Sequence, residues 1–348
     1  MSFQLEPERP VSEEIRRNVR HQIEKALKHL GTNADATDGV SETEAVGEVR
    51  KCFKSIRAAL RLVRDQLGEE HYHEENWCFR DAARPLTQVR DAGILVETLD
   101  KLRHQFPKAT AAATFAKIRQ ALLANRDDVA HRLLEQGHAL AAIKDVTTHA
   151  LVRIPEWPLD CDECTALGPG IGRVYRNGQR ALGRAAQSSS VEHLHEWRKQ
   201  TKYLWHELQL VEPALTGTEK ELIDKTHKLS TLLGEDHDLA VLRSTLAADP
   251  LAYGGHQVLK DLFVLIDRQR QDLEQQALLL GKEIYKDSPK LFTSRIEASM
   301  HQGVTNEKRQ QNQKTAETIE SRPAVEAGHG QSQPPLARKN KRSIGKLL

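Results

Sequence analysis

Between residues 191 and 211 the sequence reads VEHLHEWRKQTKYLWHELQLV. Leu194, Trp197, Leu204, Leu208 and Val211 form the apolar stripe that a water-exposed helix buries. His195, Arg198, Lys199, Lys202 and His206 form a second stripe along its edge. Residues 49–67 repeat the design: Val49, Phe53, Ile56, Leu60, Val63 and Leu67 form the apolar row, and Arg50, Lys54, Arg57, Arg61 and Arg64 follow the first five of them by one residue. One residue turns a helix by about 100°, so each cationic row borders the buried face. Such a row is ordinarily a solvated face neutralised by acids one turn away. Here no Asp or Glu occurs from Arg50 to Arg64. Like charges so spaced call for something anionic opposite, and Arg forks and Lys point charges both suit phosphate oxygens.

Other segments add cations at helical spacing. Residues 171–186 carry Arg173, Arg176, Arg180 and Arg184; residues 12–30 carry Arg16, Arg17 and Arg20. Arg80, Arg84 and Arg90 fall within residues 79–90, and Lys225 and Lys228 within 218–233. The chain of 348 residues has a net charge of +2, with nine Lys and Arg against four Asp and Glu from Met300 onward. The remainder is therefore slightly acidic, so an anion site must come from placement of charge rather than its total. The expectation is that these basic faces converge on one anion.

The elements that must position them are helical throughout. The 3.6-residue period marks helices over residues 12–30, 42–67, 71–84, 87–106, 109–125 and 127–151. After a Pro- and Gly-rich linker it resumes over 171–186, 191–211, 218–233, 238–248, 257–281 and 289–299. Pro85 is expected to end one helix and Gly234 another, with Asp236 or Asp238 capping the next. No alternating β-rich run occurs, so the fold class is all-α. From His301 the composition is polar, and a disordered tail ending near RKNKR is expected.

An internal repeat links the two striped helices. At an offset of 148, Arg50, Lys51 and Lys54 fall on Arg198, Lys199 and Lys202, and Ile56, Leu60 and Val63 on Leu204, Leu208 and Val211. Further on, Arg90–Asp91 aligns with His237–Asp238 after a three-residue insertion. The implied organisation is an extension at 1–11, a first helical repeat at 12–153, a linker at 154–170, a second repeat at 171–299 and the tail at 300–348.

Through VRKCFKSIRAALRLV, FRDAARPLTQVRDAG, LHEWRKQTKYLW and LLGEDHDLAVL, the chain resembles the conserved histidine α-helical domain (CHAD) family over residues 12–282. The resemblance implies two four-helix bundles related by a pseudo-two-fold axis, a cavity lined by basic helices, and binding of inorganic polyphosphate, in some members at polyphosphate granules. It implies anion contacts from Arg50, Lys54 and Arg57 and from His195, Arg198, Lys199 and Lys202, with Arg80, Arg84 and Arg90 as additions. The helical spacing extends the candidate set to Arg16, Arg20, Arg176, Arg180, Lys225 and Lys228. The chain departs from the family pattern at Gly47, where the first repeat usually carries histidine.

Smaller signals do not redirect this reading. Cys161-Asp-Glu-Cys164 lacks the second ligand pair of a structural zinc site, and His71 and His73 lack helix-pair spacing. His237–Asp238 resembles half of an HD-type phosphohydrolase motif, but the remaining ligands have no fixed candidates. A nucleic-acid backbone is the stronger rival, although the aromatics sit in the apolar rows. A structural protein whose cations meet a partner's acids is the third. The expectation is a cytoplasmic polyphosphate binder without catalytic residues, metal, cofactor or membrane association, given four scattered cysteines, no signal-like start and no long apolar run.

Overall fold

The computed structural model describes residues 4–32, 39–107, 112–136 and 139–320. Among these, helices α1 (Val11–Thr32), α2 (Gly39–Leu62), the single turn α3 (Arg64–Leu67) and α4 (Glu69–Gln105) come first. Then follow α5 (Ala112–Ala130), a π-helical turn (His131–Gln136) and α6 (Ala139–Arg153). The second half holds α7 (Gly168–Gln187), α8 (Val191–Val211), α9 (Thr218–Ala248), α10 (His256–Ile284) and α11 (Pro289–Glu320). No strand occurs among the described residues.

Three helices run past their expected ends. Pro85 lies inside α4. A mid-helix proline costs roughly 3 kcal/mol, but Phe79, Leu86 and Val89 on either side are buried, and their burial outweighs it. Gly234 is likewise internal to α9, so neither Asp236 nor Asp238 caps a helix. Asp236 is instead buried and accepts a 2.8 Å bond from Arg270 Nε. The expected disorder from residue 300 is corrected as far as Glu320, where α11 ends. Met300 is fully buried and Ser299 Oγ receives the Thr216 amide at 2.9 Å, so local polarity misled where a few apolar anchors suffice. The RKNKR segment lies outside the described residues.

Residues 1–307 form one unit; residues from Lys308 form another, described only as the end of α11. Within the first unit, α1 packs on α2, α2 on α4, α7 on α8, α8 on α9 and α9 on α10. The halves also meet directly, α2 against α8 and α4 against α9. One hydrophobic core therefore runs from Leu5 to Met300 through both halves. A second core joins the C-terminal parts of α4 and α9 to α5 and α10. The linker is packed, with Ile154, Trp157, Leu167 and the thiols Cys161 and Cys164 buried. Gly170 allows the start of α7 to approach the end of α2, since a Cβ there would collide with the Leu62 carbonyl oxygen.

Candidate anion-binding site

α2 and α8 bury the apolar rows expected of them, with Phe53, Ile56, Leu60, Trp197, Leu204 and Leu208 all fully enclosed. Because the two helices also touch, the rows one residue further round face a shared hollow. It is a cavity of about 580 Å³, walled by α2 and α8 and by residues of α4 and α9. Arg50, Lys54, Arg57, Arg90, His195, Arg198, Lys199 and Lys202 line it. Eight other candidates do not. Arg16 donates to the Trp157 and Leu159 carbonyls at 2.7 and 3.1 Å, tying α1 to the linker. Arg80 and Arg84 are exposed and paired with Asp81, and Lys225 is paired with Glu283. Arg20, Arg176, Arg180 and Lys228 stand on exposed faces of helices whose opposite sides form the core. Helical spacing finds a cationic face but cannot say whether that face meets solvent or a hollow.

Several cavity residues escaped the sequence reading as site members: Lys51, Arg61, Asp91, Tyr203, His206, His237 and Asp238. The alignment of Arg90–Asp91 with His237–Asp238 was the available signal for four of the wall positions. Gly47 also lines the cavity, well inside α2, and no atom lies within 4 Å of a Cβ built there.

The cations divide by how they are balanced. Arg61 lies 3.2 Å from the fully buried Glu207 and stacks over Tyr203, 3.5 Å from the ring centroid. Arg90 donates twice to Glu97, at 2.5 and 3.0 Å. Lys51 pairs with Glu48 and Lys199 with Glu196, each one turn back on its own helix. Arg57 Nε donates to Asn76 Oδ1 at 2.9 Å, a neutral partner. Arg50 has only Asp91, at 4.0 Å. Lys54, Arg198 and Lys202 have no carboxylate in ion-pairing reach among the described residues. The Nε atoms of Arg50 and Arg198 are buried without an acceptor. A buried donor left unmade is unfavourable by about 1–3 kcal/mol, more when charged.

Titration reflects this imbalance. Burial, reinforced by Lys202, Arg50 and Arg198, pushes the Lys54 ammonium down to about 7. Burial, reinforced by Arg198 and Arg50, pushes Lys202 down to about 8. Each amino group is thus held down in part by its cationic neighbours across the cavity. Burial and then Arg198 also lower His195 and His237, the latter to about 4. The two imidazole Nδ1 atoms face each other at 3.4 Å. Burial holds His206 at about 3. Among the described residues no three His, Cys, Asp or Glu side chains converge as metal ligands.

Residues 21–247 match the family model of the CHAD domain, about two thirds of the chain. The chain belongs to the CHAD domain family. Its fold is similar to the crystal structure of the CHAD domain from the plant Ricinus communis, with a TM-score of 0.54 at 16% identity. That likeness covers 80% of this chain and 94% of the plant domain. No curated protein matches the sequence.

Proposed function

We propose that this CHAD protein binds inorganic polyphosphate in the cavity between α2, α4, α8 and α9, and holds it without chemical change. The observation that carries the reading is a set of half-buried, poorly balanced cations lining one cavity: Arg50, with Asp91 only at 4.0 Å, and Arg198, both with unmet Nε donors, together with Lys54 and Lys202. A chain of phosphates supplies oxygen acceptors at close spacing and charge of the required sign. Binding releases the counterions of the polymer, so affinity falls steeply with salt. Nucleic acid fits less well. Arg61 covers one face of Tyr203 and Trp197 is fully buried, which leaves little aromatic surface in the cavity on which bases could stack.

The deciding measurement is binding of polyphosphates of defined length at two salt concentrations, for the wild type and for a variant with Arg50, Lys54, Arg198 and Lys202 replaced by alanine. The variant should keep its helical circular dichroism and lose retention; undiminished binding would place the site elsewhere, and truncation after Glu320, which keeps the buried Met300 and the rest of α11, would then test the basic tail. Excess DNA should fail to displace long polyphosphate. Incubation with Mg²⁺ or Mn²⁺ should release no phosphate. No helix among the described residues is long and apolar enough to cross a membrane, and we place the protein in the cytoplasm, at polyphosphate granules where these form.

A further inference from the structure

A cavity that receives a polyanion has no evident use for carboxylates, yet Asp91 on α4 and Asp238 on α9 both line it. They face the hollow whose α2 and α8 walls carry Arg50, Lys54, Arg198 and Lys202. Neither carboxylate accepts a hydrogen bond among the described residues, and their only ion pair is the 4.0 Å approach of Arg50 to Asp91. The contrast with their neighbours is sharp. Asp236, two residues before Asp238, is fixed by Arg270 at 2.8 Å. Arg90, beside Asp91, is turned away to Glu97. The Asp91 side chain is 57% exposed while its Arg50 partner is 11% exposed, so the acid stands on the open side of the pair. Burial raises both acids and the cavity cations lower them, each acid sensing Arg198; Asp91 also raises Asp238. The alignment of Arg90–Asp91 with His237–Asp238, which needs an insertion and departs from the 148-residue offset, sets one on the other, so each half contributes a single loosely held carboxylate.

We infer that Asp91 and Asp238 are built-in competitors for the anion: they stand in for ligand charge while the cavity is empty, must be outweighed when it fills, and so keep orthophosphate and other small anions out. The inference rests on the polyphosphate reading of the site. It makes the acids positioning and affinity-setting residues, without a contact role toward the bound polymer. At an effective dielectric of about 20, a charge about 10 Å from a phosphate alters affinity by roughly a power of ten. Neutralising the acids should therefore tighten binding, contrary to the usual effect of substitution in a binding site.

The test is Asp91→Asn with Asp238→Asn, singly and together, titrated with orthophosphate, tripolyphosphate and long-chain polyphosphate at several salt concentrations, with and without Mg²⁺. Asparagine keeps the size of the side chain, and circular dichroism checks the fold. The double variant should bind tripolyphosphate at least tenfold more tightly, each single variant by less. Its salt dependence should steepen, because solution anions take the place of the acids in the empty cavity and leave on binding. Stabilisation of the variant by orthophosphate, absent in the wild type, would be the third sign. Unchanged or weaker binding by a folded double variant overturns the inference, as does a loss confined to Mg²⁺, which would make the acids ligands of a bridging cation. Should the wild type itself fail to retain long polyphosphate, the reading of the site fails first, and the inference with it.

Discussion

Replacing Lys54 with methionine should stabilise the empty protein, and more so in acid. Methionine keeps the apolar stem of the side chain and removes the ammonium. Lys54 falls from its ordinary 10.5 to about 7 in the folded chain. At about 1.36 kcal/mol per pKa unit, holding the charged form in the empty cavity costs at most about 5 kcal/mol. The unfolded chain binds more protons than the folded one between about pH 7 and 10.5, so this penalty is fully present below about 7 and fades as pH rises. Near pH 8 the difference approaches one proton, a slope of about 1.2 kcal/mol per pH unit. Urea unfolding of wild type and Lys54→Met at pH 6, 7.5 and 9 should show the variant ahead at each, with its lead larger by about 2–3 kcal/mol at pH 6 than at pH 9. The subtraction cancels groups that do not sense Lys54, including Glu207, which titrates in the same range. Saturating polyphosphate should abolish or reverse the lead. A variant no more stable than wild type at pH 6, or a lead independent of pH, would refute the claim that these cations are in conflict while the cavity is empty.

Polyphosphate affinity should fall as pH rises, because a bound polyanion restores the protons that burial and neighbouring cations strip from Lys54, Lys202 and His195. Calorimetry in buffers of different ionisation enthalpy should detect an uptake of about one to two protons near pH 8, and equal affinity at pH 6 and 9 would count against it. Gly47→His should be accommodated, since no atom lies within 4 Å of its Cβ, and should tighten binding several-fold at pH 6 while changing little at pH 8. Arg61→Met should destabilise most above about pH 8, where the buried Glu207 ionises and would be left without that cation, and adding Glu207→Gln should recover most of that loss in chemical denaturation.

Local rules and tertiary packing contributed unequally to what could be read in advance. The double striping of residues 49–67 and 191–211 was legible because an apolar row fixes which way its neighbours point. So Arg50, Lys54, Arg57, Arg198 and Lys202 could be named, and the structure brings them to one hollow. Arg176 and Arg180 look identical by spacing, yet both stand exposed among the described residues and line no part of the hollow. Whether two helix faces meet depends on contacts far apart in the chain, which periodicity does not encode. Pro85 and Gly234 were read by local propensity, which the burial around α4 and α9 overrides. The fixed pair Arg61–Glu207 illustrates the same limit, since its partners lie on different helices and nothing local joins them.

α4 and α9 run unbroken past the hollow and on into the second hydrophobic core, where Leu99, Leu102, Leu242 and Leu246 are gripped. Two rods clamped beyond the chamber they enclose act as braces. Mutual repulsion among its cations must work against that distant packing to spread the chamber. A polyanion bound there would meet a braced receptacle, and little of its attraction would be diverted into rearranging the host.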